Sequence, residues 1–343
     1  MDAMTSRERV AAALKRQEPD RVPCCDLSVS RSLAQRMLGW KDPVSQSVNL
    51  EANPYTAEEA KEVAAFLGLD NIPYVLRAPV YADKHAGQHG ILFYGEGHIK
   101  TAADLAMVDL PDPHDDALYA DAERFLRQKG DYSAWFVTRL GIFPTMLSMG
   151  MEDFCVALYE DRPLVERLLD LYTDWIEVVA ERISGMGFDA FVSTDDMAFN
   201  TAPFFSPQVF RELVLPRYRR VAPRIKIPWF IHSDGNILPF LDDLAEVGVI
   251  GAHPMEKGAV DIRAIKKSHG DRLCLLGNVD LNLLGAGTPA AVDQEVRELI
   301  RDVAPGGGFI VTSGNSLAGY CLPENVLAMT RAVRKYGRYP IAV

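Results

Sequence analysis

Apolar residues fall into short clusters along this chain, each followed by a longer stretch with helical spacing. The clusters at 22–27, 71–76, 134–139, 190–194, 229–232, 249–252, 273–277 and 309–312 are β-rich, which predicts strands. The stretches at 153–162, 163–185, 207–223, 238–247 and 290–303 predict helices. Strands alternating with helices imply a parallel sheet with crossover connections. Eight such units predict an α/β fold of the (β/α)8 TIM-barrel type. An open doubly wound sheet is the competing arrangement. Its dinucleotide-binding form is disfavoured, because no GxGxxG follows the first strand.

The N-terminal segment MDAMTSRERVAAALKRQEPDRVP reads as a short amphipathic helix, an extension ahead of the barrel. No Ser/Gly-rich linker or low-complexity tract divides the chain, so 1–343 is expected to be one domain. Residues 78–131 are the least regular part. Within them HAGQHGILFYGEGHIKT, at 85–101, predicts a β-hairpin inserted after the second strand. In a barrel it would lie over the mouth, as a lid or as a plain excursion.

Composition narrows the function. The chain has 343 residues, 48% hydrophobic and 24% charged, which excludes a disordered protein. A net charge of −11 opposes nucleic-acid binding and docking on an anionic membrane. No apolar run approaches the ~20 residues needed to span a bilayer, and the N-terminus lacks an apolar signal region. Five cysteines, at 24, 25, 155, 274 and 321, form no CxxC pair. They read as small core residues of a reduced, cytoplasmic protein.

In a barrel, the C-terminal strand ends line the active site. Here those ends carry Asp26, Arg139, Asp195-Asp196, His232-Ser-Asp234-Gly-Asn, His253 and then Glu256, Asn278, and Asn315. Carboxylates gathered without partners are costly to bury, so a metal, protons or a cationic group must share their charge. His232 and Asp234 are two apart and point to the same side of a strand end. They could bind one metal, act as an acid–base pair without metal, or simply form a turn. One of Asp195 and Asp196 is expected to reach the site. Arg31 and Arg139 are either clamps for an anionic substrate or ion-pair partners. Phe143, Phe199, Phe204 and Phe205 are candidates for an apolar pocket.

Five segments, in order, resemble the uroporphyrinogen decarboxylase superfamily: SRERVAAALKRQEPDRVP at 6–23, FFSPQVFRELVLPRYRRV at 204–221, IHSDGN at 231–236, LLGNVDLNLLGAGTPAAV at 275–292 and PGGGFIVTSGNSLAGYCLPENVLAM at 305–329. The resemblance covers nearly the whole chain and implies a (β/α)8 barrel. That superfamily holds porphyrinogen decarboxylases and zinc-dependent, corrinoid-linked methyltransferases. The decarboxylase motif Arg-Gln-Ala-Gly-Arg is here Leu27-Ser-Val-Ser-Arg31, and the family's aspartate, tyrosine and histidine positions hold Tyr74, Met149 and Asn315. The methyltransferases' His-x-Cys and distant Cys fall on His232-Ser-Asp234 and Asn315, which keeps the histidine and replaces both thiols.

The resemblance therefore implies a metal-assisted methyltransferase. Zinc would sit on His232, Asp234 and a second carboxylate, Glu256 or else Asp195 or Asp196, with Asp195 and Asp196 otherwise as catalytic carboxylates. Arg31, Arg139, Phe199, Asn278 and Asn315 would contact a small methylated substrate, such as a methoxylated aromatic. A corrinoid on a partner protein would accept the methyl group, and the enzyme would be a homodimer. The alternative is a metal-independent decarboxylase or lyase acting on a small carboxylated compound.

Overall fold

The computed structural model describes residues 4–41, 53–87 and 92–343. Helices α1 (Ser6–Leu14), α2 (Arg31–Leu38) and α3 (Ala57–Leu67) precede strand β1 (Asn71–Val75). A two-stranded antiparallel hairpin follows, β2 (Ala82–Ala86) and β3 (Leu92–Gly97); its predicted turn lies outside the described residues. Then come α4 (Ala120–Arg127), β4 (Ser133–Thr138), α5 (Ile142–Met149), α6 (Met151–Glu160), α7 (Arg162–Met186) and β5 (Ala190–Thr194). Helices α8 (Pro207–Val209) and α9 (Leu215–Val221) flank a π-helical stretch, Phe210–Val214. The rest is β6 (Trp229–His232), α10 (Leu241–Val247), β7 (Gly251–His253), α11 (Ile262–His269), β8 (Cys274–Val279), α12 (Leu281–Ala286), α13 (Pro289–Val303), β9 (Phe309–Ser313) and α14 (Pro323–Tyr336).

Seven strands form one curled parallel sheet in the order β1-β4-β5-β6-β7-β8-β9, so the fold is α/β and TIM-barrel-like. Its strands are buried on both faces. Trp135, Val137, Val192, Phe230, Leu276 and Ile310 pack together in one cluster, while their neighbours Phe136, Phe191, Ile231, Leu275 and Val311 pack in the other. Period-two alternation between two apolar layers explains why the strand sequences are almost uniformly hydrophobic. Val10, Ala13 and Leu14 of α1 join the first cluster, and α1 packs against β1, β4 and β9.

The predicted first strand, 22–27, is not a regular strand. Its backbone nonetheless bonds both sheet edges. Val311 donates to the Pro23 carbonyl, Cys25 donates to that of Val311, and Asp70 donates to that of Cys24. Further along, the Asn71 side chain substitutes for a ladder partner. Its carboxamide accepts from the Asp26 amide at 3.0 Å and donates to the Asp26 carbonyl at 2.8 Å. An amide side chain offers one donor and one acceptor, as a peptide unit does, but it breaks the repeating ladder. Cys24 and Cys25 still alternate between the two apolar clusters. All five cysteines are free, and Cys155 alone among them is more than minimally exposed.

α1 is anchored at the N-terminal side of the sheet by buried charge. Asp70, which precedes β1, accepts from Arg9 at 2.7 Å, from Arg21 at 2.9 Å on each oxygen, from the Ser6 hydroxyl at 2.9 Å and from the Cys24 amide at 2.9 Å. The rest of the Arg9 guanidinium goes to Asp20 and the Met4 carbonyl.

Candidate active site

Strand register sets the site. Thr194, His232 and His253 lie side by side at the C-terminal ends of β5, β6 and β7. The loops that continue from these ends carry Asp195, Asp196 and Asp234. The loop after His232 is pinned tightly. Gly235 has φ +79°, and a Cβ there would lie 2.5 Å from the carbonyl oxygens of Ala198 and Phe199, so only glycine fits. The Asp-Gly-Asn turn chemistry and the site therefore occupy the same residues.

His232 Nε2, an Asp196 oxygen and an Asp234 oxygen converge, with candidate ligand atoms all within 4.8 Å of one another. His232 Nε2 is 3.6 Å from Asp196 Oδ1 and 3.8 Å from Asp234 Oδ1. Asp196 Oδ1 also accepts the Asp234 amide at 3.0 Å. Asn315 donates to Asp234 Oδ2 at 2.5 Å, while Oδ1 is buried with no hydrogen-bond partner. Burial, then the charges of Asp196 and Glu256, push the Asp234 carboxyl up to about 8. Such a group needs a proton or a cation.

On its other side the His232 ring meets His253, Nδ1 to Nδ1 at 2.7 Å. Burial holds both imidazoles below their usual range, so both are neutral at pH 7. Two nitrogens so close share one hydrogen, so one ring donates and the other accepts. When His232 is the donor, its Nε2 presents a bare lone pair toward Asp196 and Asp234.

The resemblance implies zinc, and these residues fit it. Two ligand atoms of a tetrahedral zinc, each about 2.0–2.1 Å from the ion, lie roughly 3.3 Å apart; 3.6 and 3.8 Å are close to that spacing. The unbonded Asp234 oxygen supplies the open acceptor, and His253 would fix the His232 tautomer from the second layer.

Other predicted residues lie elsewhere in the network. Asp195 is fully buried and outside the converging group. Its oxygens accept the backbone amides of Leu140 at 2.7 Å and Phe143 at 3.2 Å, so it holds the loop after β4. Burial raises its pKa, against those two amides and Arg139. Glu256, expected as a metal ligand, is also outside the group. It accepts the Gly235 amide at 2.7 Å, and the Asn200 amide nitrogen, oriented to donate, lies 3.1 and 3.3 Å from its oxygens. Asn278 donates to the Met255 carbonyl at 2.5 Å and positions that loop. Arg31 pairs with Glu59 at 2.7 Å and stacks over Trp40 and Tyr55. Phe199 is exposed and meets Phe204 edge-on at 4.4 Å.

Arg139 is buried beside Tyr94 of β3 and Phe143 of α5. The hairpin therefore reaches the C-terminal side of the sheet. Arg77, just after β1, is brought down to about 9 by burial and then by the charge of Arg139, while Tyr94, Asp196 and Asp195 act the other way. Arg77 directly follows the strand predicted at 71–76, whereas Tyr94 follows no strand-end pattern and only the folded chain reveals it. His253 was readable at the end of the sixth strand, but its pairing with His232 was not.

Comparison with known proteins agrees with this architecture. The sequence model of the uroporphyrinogen decarboxylase (URO-D) family matches residues 94–336. A uroporphyrinogen decarboxylase of Alkalilimnicola ehrlichii is 25% identical over 97% of this chain and 95% of its own length. A methylated-thiol–coenzyme M methyltransferase of Methanosarcina mazei is 25% identical over 187 residues, 54% of this chain and 48% of its own length. A solved methyltransferase from Methanosarcina mazei has the same fold, with a TM-score of 0.79 over 97% of this chain and 99% of its own, at 21% identity.

Proposed function

The chain belongs to the uroporphyrinogen decarboxylase family, and we propose that within it this protein is a metal-assisted methyltransferase. Its relatives include both decarboxylases and a methyltransferase. The proposed reaction moves a methyl group from a small methylated compound, such as a methoxylated aromatic, to a reduced corrinoid on a separate carrier protein. The substrate's heteroatom keeps the bonding electron pair and takes a proton on release. The single observation behind this proposal is the convergence of His232, Asp196 and Asp234 around a buried, unbonded carboxylate oxygen.

When bound, zinc supplies Lewis-acid polarisation of the substrate's heteroatom. The chain's own residues do the rest. His232, Asp196 and Asp234 would hold the ion. Asn315 fixes one Asp234 oxygen so that the other faces His232. Glu256 and Asn200 hold the loop at Gly235. Oxygen donors in place of two thiolates suit polarising an ether or phenol oxygen better than activating a thiol. We further propose that the 22–27 segment closes the sheet into a (β/α)8 barrel, with the hairpin at its mouth, and that the enzyme works as a cytoplasmic homodimer.

Chelation tests the proposal. Methyl transfer from a panel of methoxylated aromatics to a reduced corrinoid carrier should disappear on metal removal and return with zinc. The purified protein should carry about one equivalent of divalent metal, and a His232→Ala, Asp234→Ala variant should carry none. Full activity in rigorously metal-free protein would reject the metal's role. The buried Arg139 favours a second reading, a metal-independent carboxy-lyase in which Arg139 binds a substrate carboxylate and His232 moves a proton. Carbon dioxide release without metal would support that reading.

A further inference from the structure

The cationic side of the mouth has donors with nothing to bind. Arg139 is 6% exposed, and its Nε and Nη1 are buried without a hydrogen-bond partner. The Tyr94 hydroxyl is likewise buried and, like those nitrogens, unpaired among the described residues. The two side chains come from different elements, the end of β4 and the hairpin strand β3. The guanidinium carbon lies 5.8 Å from the Tyr94 ring centre and 5.0 Å from that of Phe143.

Ring faces against the guanidinium do not satisfy Nε and Nη1, and buried donors on a charged group are expensive to leave unmade. Asp195 contributes charge nearby but does not fill the gap. Its oxygens are turned to the Leu140 and Phe143 amides. Arg77 adds a second positive charge felt at the same place. The arrangement leaves a hydroxyl and a guanidinium, on two side chains in contact, each short of an acceptor, with an aromatic wall beside them.

Taking His232, Asp196 and Asp234 as the reacting centre, as proposed above, we infer that Arg139 and Tyr94 form a subsite for a carboxylate on the substrate. The methyl donor is then an acid, an aromatic carboxylate with its methylated heteroatom directed to the His232 side. A planar carboxylate can accept from the guanidinium and the phenol together. Tyr94 makes the hairpin part of the specificity apparatus. Arg139 and Tyr94 select the substrate and the acid–imidazole group acts on it.

Binding measured without turnover tests this. Benzoate and 4-methoxybenzoate should bind the full-length protein, by calorimetry or thermal shift, and the matching benzamides should bind at least tenfold more weakly. Arg139→Leu should abolish the preference for the acid, Arg139→Lys should weaken acid binding, and Tyr94→Phe should lower it roughly tenfold, the effect of one hydrogen bond to a charged group. Tyr94→Phe retains the ring and tests the subsite even if Arg139→Leu does not fold. Equal binding of acids and amides, or acid binding unchanged in both Arg139→Lys and Tyr94→Phe, would overturn the inference. Metal-free protein that binds 4-methoxybenzoate through Arg139, together with reconstituted protein that never demethylates it, would reject the methyltransferase proposal and leave the subsite standing.

Discussion

Two groups of buried charge lie at opposite ends of the same parallel sheet, and they are treated differently. At the N-terminal end, Asp70 receives hydrogen bonds from Arg9, Arg21, Ser6 and the Cys24 amide. At the C-terminal end, Asp234 Oδ1, His253 Nε2, Tyr94 Oη and two Arg139 nitrogens are buried with no partner among the described residues. Both groups are expensive to desolvate. Only the first is compensated within the chain. Full satisfaction marks a fastening, whereas several unpaired buried groups at one end of the sheet mark a place that awaits something from outside.

The largest expected effect is at the satisfied end. Asp70→Ala strands the Arg9 and Arg21 guanidiniums and should lower unfolding free energy by about 3–5 kcal/mol, read by urea denaturation. A loss below about 1 kcal/mol would undo the contrast.

Next comes its counterpart at the mouth. Asp234→Asn in metal-free protein should change stability by less than about 1 kcal/mol, because the carboxylate it removes is held near neutrality by burial, Asp196 and Glu256. The same variant should lose methyl transfer by roughly 100-fold or more. Parallel denaturation and turnover assays check the pair; a large stability loss with activity retained would make Asp234 structural.

The smallest effect is a pH trend at Asp26, a buried carboxyl between the two ends. Burial raises it to about 7, against hydrogen bonds from Ser313, Ser28 and Leu317. The unfolded value is near ~3.9. The folded chain thus binds the proton more tightly, so this stabilisation is complete below about pH 4 and lost as pH climbs through 7. The melting temperature of the parent relative to Asp26→Asn should fall across that window. A flat difference would mean Asp26 is charged in the folded state throughout.

Much of this was readable beforehand because the strands are apolar on both faces and end in polar residues. Those ends directed attention to His232, Asp234 and Asn315, which lie together. Asp195 and Glu256 carry the same residue chemistry, yet backbone amides claim them, and no sequence pattern reveals which amides will point at a carboxylate. Tyr94 was hidden for another reason. It sits in a hairpin outside the strand–helix alternation, and only tertiary folding brings it to Arg139. The 22–27 segment misled in the opposite direction, since strand-like residues there rely on a side chain for pairing.

That Asn71 carboxamide has a consequence for how the 22–27 segment is held to the sheet. Elsewhere, neighbouring strands are zipped by repeated peptide pairs, so loss of one leaves others to hold the join. At residue 26 the join is a single clasp, and it sits beside the Asp26 carboxyl that ties the same segment to Ser313 and Leu317. The join of this segment to β1 therefore leans on side chains where the seven-stranded sheet relies on peptide pairs, so it has fewer bonds in reserve.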